Sequence, residues 1–372
     1  MTPEQERRFS KDLLAWYATA RRSLPWRRTR DPYRILVSEF LLQQTRVETA
    51  EAYYRRFVRR FPSLQALAEA PQESVLQVWQ GLGYYGRGRN LHRAAQTIRD
   101  RFQGRIPSDP ETLGKLPGIG PYTAAAVASI AFQRDVFTID GNVKRVLSRL
   151  FAMRTSPELP EVRKRMGKIG LRLLPRGKAG EFNQALMELG ALVCKPGRPD
   201  CDHCPVERSC KAREKGLTER LPVRIPRGRV PVRRRVVGAI RNRGRLLFVR
   251  RPPEGLLGGL WELPGCNLED GENTEQGLGR LCASLDQDVV LQPPQPAQPH
   301  LLVRHTYSHF QELLLVFLLA GIRRGPEGAR GRREPLGRWY HPTNMGEHPV
   351  TRATGKILEE ITGRSGPRRI RR

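Results

Sequence analysis

Apolar residues recur at helical spacing through roughly the first 215 residues of the chain, a pattern typical of helices that bury one face. Local chemistry predicts where two of these helices begin. Asp31 followed by Pro32 predicts a helix that runs to about Thr45, and the spacing of Ser108 and Glu111 predicts another start. Further helices are predicted at 90–102 and 122–132. Residues 1–215 are therefore predicted to form an all-α domain.

The apolar pattern changes to a period of two after Arg234, which is typical of β-strands. Two such segments flank the Asn-Arg-Gly sequence at 242–244, and this arrangement predicts a hairpin. Another strand is predicted at 311–322. Helices are predicted at 274–285 and 351–362. Residues 234–363 are therefore predicted to form a separate α+β domain.

The chain carries 66 Lys and Arg residues against 37 Asp and Glu residues, a formal net charge of +29. A field of this strength attracts polyanions such as nucleic acid, although charge alone does not identify a partner. Basic residues cluster in a predicted linker at 216–233, which prolines and glycines interrupt, and in a tail at 364–372. The longest apolar run, at 313–320, is too short to span a bilayer. We therefore expect no membrane association. We also expect a monomer in the cytoplasm of a bacterium.

Four cysteines in one short loop, 194–210, indicate a metal cofactor. Their spacing is C-x6-C-x2-C-x5-C. A structural zinc site usually supplies two C-x2-C pairs, whereas this loop has only one. Four thiolates from a single loop suit a 4Fe–4S cluster, with zinc as the alternative from spacing alone. Disulfides are disfavoured because no secretory signal opens the chain. The proposed ligands are Cys194, Cys201, Cys204 and Cys210.

A Gly-x-Gly turn leads directly into a predicted helix in the sequence LPGIGPYTA. Gly118 and Gly120 allow the backbone to approach a ligand closely, and their amides and the following helix N-terminus can hold a phosphate. Such a turn alone is usually only a turn. Between two helices of a strongly basic protein, it predicts a helix-hairpin-helix motif at about 108–132 that grips the DNA backbone without reading sequence.

Two carboxyl groups are candidates for catalysis. Asp140 is predicted to cap a helix that starts near Asn142, and a carboxylate in that position can also stabilise an oxocarbenium-like state. Glu39 lies in a segment that is apolar on nearly every face, which predicts a buried helix. Burial disfavours the charged form of a glutamate and suits it to act as a general acid. The alternative is an ordinary exposed glutamate.

The hairpin, the aspartate about twenty residues later and the four-cysteine loop together resemble the helix-hairpin-helix DNA glycosylase superfamily. Within it, SEFLLQQTRV, GLGYYGRGRNLH and IDGNVKRVL resemble MutY-type adenine DNA glycosylases over about 10–213. This resemblance implies a monofunctional enzyme of base excision repair that binds double-stranded DNA. It would flip out adenine mispaired with 8-oxoguanine or guanine and hydrolyse the N-glycosidic bond with acid assistance.

The resemblance also implies roles for individual residues. Glu39 would protonate the adenine leaving group, and Asp140 would stabilise the sugar cation or capture it transiently. Tyr122 and Asn142 would support the same centre. The residues implied to line the adenine pocket are Trp26, Arg27, Gln184 and Met187. Those implied to fill the duplex and contact the opposite base are Gln44, Thr45, Leu82 and Tyr84.

Two other classes of protein compete with this interpretation. The endonuclease III type shares the hairpin, aspartate and cluster, but it needs a nucleophilic lysine where this chain has Tyr122. A tyrosine cannot form a Schiff base. Lys144 is a spare amine nearby to which we assign no catalytic role. A non-catalytic DNA-binding protein with a cluster is the second rival, and the presence of both Glu39 and Asp140 argues against it.

The C-terminal domain resembles a Nudix fold. Its segment EQGLGRLCASL lacks the acidic core that binds magnesium, so hydrolysis of nucleotide pyrophosphates is not expected. In MutY-type proteins this domain recognises the damaged base opposite adenine. The sequence HTYSHF matches the family's recognition loop, with Tyr307 in place of Phe, followed by Ser308 and His309. Cys266 and Cys282, also in this domain, are expected to be buried thiols.

Overall fold

The computed structural model describes residues 1–225, 228, 230–252, 255–285, 289–291, 297–307, 309–323 and 337–363. Contacts between residues divide the chain into two compact units. The first unit comprises Met1–Ala70 and Arg87–Arg227, and the second comprises Pro71–Gly86 and Gly228–Arg372. Ser308, the predicted tail at 364–372 and positions 226, 227 and 229 of the predicted linker lie outside the described residues.

The predicted all-α character of the N-terminal region is confirmed. The helices of the chain are α1 (Pro3–Ala20), α2 (Pro32–Leu42), α3 (Val47–Arg60), α4 (Leu64–Glu69), α5 (Gln72–Trp79), α6 (Gly86–Phe102), α7 (Pro110–Gly114), α8 (Pro121–Phe132), α9 (Gly141–Leu150), α10 (Pro160–Leu173), α11 (Ala179–Leu192), α12 (Lys211–Glu214), α13 (Thr274–Leu285) and α14 (Arg352–Thr362). One apolar core of the first unit joins α1, α9, α10 and α11. Among the described helices, none is both long and apolar enough to cross a membrane.

Capping residues explain where the helices near the candidate site begin. The Asp31 side chain accepts a hydrogen bond from the Tyr33 amide and caps α2, as predicted, although the helix ends at Leu42 rather than near Thr45. The predicted cap of α7 is wrong by one residue. Asp109, not Ser108, accepts the bond from the backbone of the helix, because its carboxylate is the better charged partner for a helix N-terminus.

A mixed sheet forms the centre of the second unit. Its strands are β1 (Val232–Asn242), β2 (Arg245–Arg250), β3 (Trp261–Glu262), β4 (Gly265–Asn267), β5 (Val289–Leu291), β6 (Leu301–Thr306), β7 (Gln311–Arg323) and β8 (Gly337–Tyr340). The order is β3-β2-β1-β7-β5, with β4 also on β1, β6 on β7 and β8 on β2. The β1–β7 pair is parallel, and the β1–β2 pair forms the predicted hairpin.

Alternation along β1 places a helix on each face of this sheet. Val236 and Ile240 pack in the same apolar cluster as Leu281 of α13. Val237 packs in the opposite cluster with Ile357 of α14. Successive strand residues point to opposite faces, so one strand serves two cores. This arrangement confirms the predicted α+β class of the C-terminal region.

The division between the units differs from the predicted boundaries. Residues Pro71–Gly86 group with the second unit. Within that unit, Trp261 Nε1 donates to the Glu73 carboxylate at 3.5 Å, and His348 Nδ1 lies 3.6 Å from the same group. In addition, β1 begins at Val232, inside the predicted linker, because Val232 pairs with Gln311 of β7.

Candidate active site

Glu39 is buried in the C-terminal half of α2. Glu39 is 4% exposed, and its Oε2 atom has no hydrogen-bond partner among the residues that the structure describes. Burial raises the pKa of Glu39 from 4.5 to about 7, and the charge of Asp140 adds to this effect. A hydrogen bond with Tyr122 and the charge of Arg27 act in the opposite direction. A large protonated fraction at neutral pH therefore makes Glu39 suited to donate a proton.

A small cavity of about 60 Å³ lies beside Glu39. It has room for only a few water molecules, which an entering base would displace. The cavity brings together the four residues predicted for the adenine pocket with Glu39 and Tyr122. Its lining comprises Trp26, Arg27, Ile35, Ser38, Glu39, Leu42, Tyr122, Ile130, Gln184 and Met187. One aromatic wall and several convergent polar groups are the usual features of a ligand site.

Asp140 caps α9, as predicted, and its charge acts on Glu39, although it is not among the residues that line the cavity. Its Oδ1 accepts a hydrogen bond from the Val143 amide at 2.7 Å, and its Oδ2 accepts one from Asn142 Nδ2 at 2.9 Å. Burial raises the pKa of Asp140, and these two bonds counteract burial because they stabilise the ionised form. The two carboxyl groups thus have different environments: Glu39 lacks a partner for one oxygen, whereas Asp140 has donors on both.

Tyr122 interacts with both of these carboxyl groups. Burial raises the pKa of its hydroxyl well above 10, and the charges of Glu39 and Asp140 reinforce this direction. The hydroxyl also donates to Met187 Sδ at 3.4 Å. A phenol in this environment stays protonated at neutral pH and acts as a hydrogen-bond donor. Lys144, in contrast, is engaged by Glu158 at 2.8 Å.

A chain of hydrogen bonds runs from Asp140 to the four-cysteine loop. Asn142, which donates to Asp140, accepts from Arg145 Nη2 at 2.8 Å. The Nε of Arg145 donates to the Cys194 carbonyl at 2.7 Å, and its Nη2 donates to the Gly190 carbonyl at 2.8 Å. Gly190 admits no side chain, since a Cβ there would lie 2.5 Å from Asn142 Cβ. Close packing of α9 and α11 therefore fixes Asn142.

The four-cysteine loop is held by one buried arginine. Arg149 is 2% exposed and donates to the carbonyls of Leu221, Lys195 and Gly197 and to Cys194 Sγ. All four cysteines of the loop are half-buried and free of disulfides. In the described part of the chain, no three His, Cys, Asp or Glu side chains are close enough to hold a single metal ion.

The chemistry of these donors fits a four-iron cluster. Charges on the sulfurs of Cys194, Cys201 and Cys210 would each act on Cys204, so the four thiols lie near one another. Burial raises the pKa of Cys204 to about 12 and also raises the pKa of Cys201 and Cys210. Binding of iron would therefore displace protons from these thiols.

The predicted helix-hairpin-helix consists of α7, α8 and the turn between them. Gly118 has φ of +73°, and a Cβ at this position would lie 2.5 Å from Asn90 Cβ, so the fold requires glycine there. Gly120 caps α8 with φ of −83°, and a Cβ there would have nothing within 4 Å. Open space in front of the α8 N-terminus is what an approaching phosphate needs.

Two of the four residues predicted to enter the duplex have an unusual backbone. Gln44 has φ of 55° and Tyr84 has φ of 49°, a left-handed conformation that is costly for residues other than glycine. Both side chains are exposed, whereas Leu82 and Thr45 are half-buried. Thr45 Oγ1 accepts from Arg87 at 3.0 Å. Strain at exposed large side chains is more typical of ligand contact than of packing.

In the second unit, Tyr307 lies in an aromatic cluster. Its ring stacks on Phe310 at 4.6 Å and meets the edge of His305 at 4.6 Å. Burial raises the pKa of Tyr307, and its hydroxyl is hydrogen-bonded to Glu312. His309 is exposed. Cys266 and Cys282 are only half-buried, so the prediction of buried thiols is wrong, because both side chains pack against the outside of their apolar cluster.

Sequence reasoning overlooked Glu188 and Arg22. Glu188 is 1% exposed on α11, directly after the pocket residue Met187, and it pairs with Arg22 and Arg27. The sequence pattern could have predicted the burial of Glu188, since it lies in a helix whose other buried positions are mostly apolar. The same observation had identified Glu39.

Family models match both parts of the chain. The model of the HhH-GPD superfamily of base excision DNA repair proteins matches residues 37–170, and that of the NUDIX domain matches residues 236–360. A solved thermostable thymine-DNA glycosylase is 31% identical and covers 57% of this chain and 99% of its own, with a TM-score of 0.54. An endonuclease III trapped covalently on DNA covers 58% of this chain and 99% of its own at 24% identity and a TM-score of 0.51, which shows the shared fold. The fold and site thus define a helix-hairpin-helix DNA glycosylase with a Nudix-like C-terminal domain.

Full-length relatives identify the family more narrowly. Adenine DNA glycosylase of Homo sapiens is 36% identical over an alignment that covers 95% of this chain and 74% of the human protein. The chain belongs to the MutY-type adenine DNA glycosylases, enzymes of base excision repair that hydrolyse N-glycosidic bonds in DNA.

Proposed function

We propose that the chain excises adenine from double-stranded DNA where adenine is mispaired with 8-oxoguanine or guanine. The observation that carries this proposal is the buried, partly unpartnered carboxyl of Glu39 in a cavity with Trp26, Tyr122 and Gln184. The residues have the chemistry needed to hold a flipped purine and protonate it. The protein would act as a monomer in the bacterial cytoplasm.

In the proposed reaction, adenine leaves the base stack and enters the cavity beside Trp26. Glu39 then donates its proton to the base, which makes adenine a better leaving group. As the N-glycosidic bond breaks, positive charge develops on the sugar, and the ionised Asp140 stabilises or transiently captures it. Water completes the hydrolysis and leaves an abasic site. Asn142 keeps Asp140 in place through its 2.9 Å hydrogen bond.

We propose that the chain is monofunctional: it removes the base and does not cleave the DNA strand. Replacing Tyr122 with lysine should introduce lyase activity, because it places an amine in the cavity that can attack the sugar. Borohydride trapping of a protein–DNA adduct and strand cleavage on the same duplex would measure this gain. Tyr122→Phe is the matched control and should form no adduct. Efficient trapping by the wild type would contradict the monofunctional mechanism.

We further propose that the loop containing Tyr307, Ser308 and His309 recognises 8-oxoguanine. Substituting Ser308 and His309 together with alanine should lower the ratio of excision rates on A:8-oxoguanine and A:guanine duplexes. The loss of one hydrogen-bonding site is worth about 1–3 kcal/mol, or roughly ten- to hundredfold. Affinity for undamaged duplex, which depends on phosphate contacts, should stay unchanged. An unchanged rate ratio would mean that another element recognises the lesion.

We also propose that a 4Fe–4S cluster is bound by Cys194, Cys201, Cys204 and Cys210. The cluster would stabilise the surrounding basic loop. Purified protein should be brown and contain about four iron and four sulfide per chain. Cys201→Ala should reduce iron content and DNA affinity more than the rate of excision by bound enzyme. Cys266→Ala, outside the loop, is the control. A colourless wild-type protein with one zinc would refute this assignment.

A further inference from the structure

Glu188 is a buried carboxylate directly after Met187, which lines the base cavity. Within the described part of the chain, it makes no hydrogen bond to Glu39 or Asp140. It is one of the least exposed charged side chains, at 1%. Its Oε1 accepts from Arg22 Nε at 3.0 Å and from Arg27 Nη1 at 2.8 Å. Its Oε2 accepts from Arg22 Nη2 at 2.7 Å and from Arg27 Nη2 at 2.9 Å. One carboxylate thus binds two guanidinium groups, each through two hydrogen bonds.

These bonds fix the orientation of Arg27, which lines the cavity. Its Nη1 also donates to the Arg22 carbonyl at 3.2 Å, and its guanidinium lies over the Tyr17 ring at 5.6 Å. The hydrogen bonds of Arg27 within the described part of the chain use Nη1 and Nη2 and leave the Nε–H group. A purine presents ring nitrogens that accept hydrogen bonds, and a fixed donor favours such a base.

Electrostatics gives the same cluster a second consequence. The positive charge of Arg27 acts on Glu39, where it favours the ionised form. Burial would raise the pKa of Glu188, but hydrogen bonds from Arg27 and Arg22 outweigh burial and lower its pKa to about 2. Glu188 is therefore ionised throughout the working range of pH. Its negative charge offsets the two positive charges beside the cavity.

We infer that Glu188 is a positioning residue, which holds Arg27 as a donor to the flipped base and cancels its charge so that Glu39 keeps its proton. This inference rests on the proposed role of Glu39 as general acid. The other charged or titratable groups that act on Glu39 are Tyr122 and Asp140: the hydrogen bond with Tyr122 favours its ionised form, and the charge of Asp140 disfavours it. Of the charges that act on it, Arg27 is the one that favours ionisation.

The test is the pH dependence of single-turnover adenine excision by the full-length protein on an A:8-oxoguanine duplex. In wild type, the rate should fall as pH rises through about 7, where Glu39 loses its proton. Glu188→Gln leaves the charges of Arg22 and Arg27 uncompensated, so the midpoint should move down by about one pH unit. The ratio of the Glu188→Gln rate to the wild-type rate should then be about tenfold lower at pH 8 than on the acidic plateau.

Two matched variants separate this effect from a loss of structure. Glu181→Gln removes the same charge from an exposed position on α11 and should leave the midpoint unchanged. Arg22→Gln leaves the charge of Glu188 to cancel that of Arg27 alone, so it should move the midpoint upwards, opposite to Glu188→Gln. This second variant keeps the inference testable if Glu188→Gln does not fold.

The outcomes distinguish this inference from the proposed function. If wild type shows no titration near pH 7, the role of Glu39 fails. If wild type titrates there but Glu188→Gln lowers the rate equally at every pH, Glu188 is only structural and the inference is wrong. An Arg22→Gln midpoint that stays with wild type, or moves downwards, would overturn it as well.

Discussion

Replacing Glu39 with glutamine is expected to slow adenine excision by roughly 10²- to 10⁴-fold. Glutamine keeps the size of the side chain on the buried face of α2 but cannot donate a proton to the leaving base. Single-turnover rates on an A:8-oxoguanine duplex, with DNA affinity measured separately, would show the loss in the chemical step. Glu161→Gln, at an exposed position of α10, is the control. A near-normal rate for Glu39→Gln would remove Glu39 from the mechanism.

The same variant should be more stable than wild type at alkaline pH. The pKa of Glu39 is about 7 in the folded protein and 4.5 in the unfolded chain, so folding favours the protonated form. Stability from this proton is fully present below pH 4.5 and is lost as pH rises through 7. The difference in pKa corresponds to roughly 3 kcal/mol. Denaturant unfolding of both proteins at pH 5 and pH 8 would measure it, and a pH-independent difference would contradict the burial of an ionisable Glu39.

Replacing Asp140 with asparagine is expected to reduce excision by about 10³-fold, in the range found when one electrostatic stabiliser is removed from an active site. Asparagine caps helices as well as aspartate does, so α9 should stay intact while the negative charge beside the sugar is lost. The single-turnover rate and the thermal midpoint together separate these effects.

Asp109→Asn offers a matched control for the Asp140 variant, because Asp109 also caps a helix but lies at the surface. It should leave the rate unchanged. If Asp140→Asn loses stability and activity in proportion, or keeps a rate close to wild type, then the carboxylate serves the helix and not the reaction.

Short-range patterns allowed much of the site to be predicted. The burial of Glu39 followed from a helix that is apolar on nearly every face, and the structure places it at 4% exposure. The cap at Asp140 followed from the residue type that best satisfies free amides at a helix start. Trp26, Arg27 and Gln184 came from resemblance to a family, since nothing local in the sequence brings such distant positions to one cavity.

The features that sequence did not predict depend on contacts between distant segments. Glu73 groups with the second unit because of its contacts with Trp261 and His348, while α5 itself has ordinary helical spacing. The need for glycine at position 190 follows from the approach of α9, which no pattern within α11 reveals. Glu188, like Glu39, lies in a mostly apolar helix, but its role depends on two arginines more than 160 positions away in the sequence.

Single-turnover excision by the wild-type protein on three otherwise identical duplexes tests the proposed function most directly. The duplexes carry adenine opposite 8-oxoguanine, adenine opposite guanine, and thymine glycol opposite adenine. We expect removal of adenine from both mispairs, faster opposite 8-oxoguanine, with an intact abasic strand and no release of thymine glycol. Release of thymine glycol with strand cleavage, or no release of adenine from either mispair, would contradict the account.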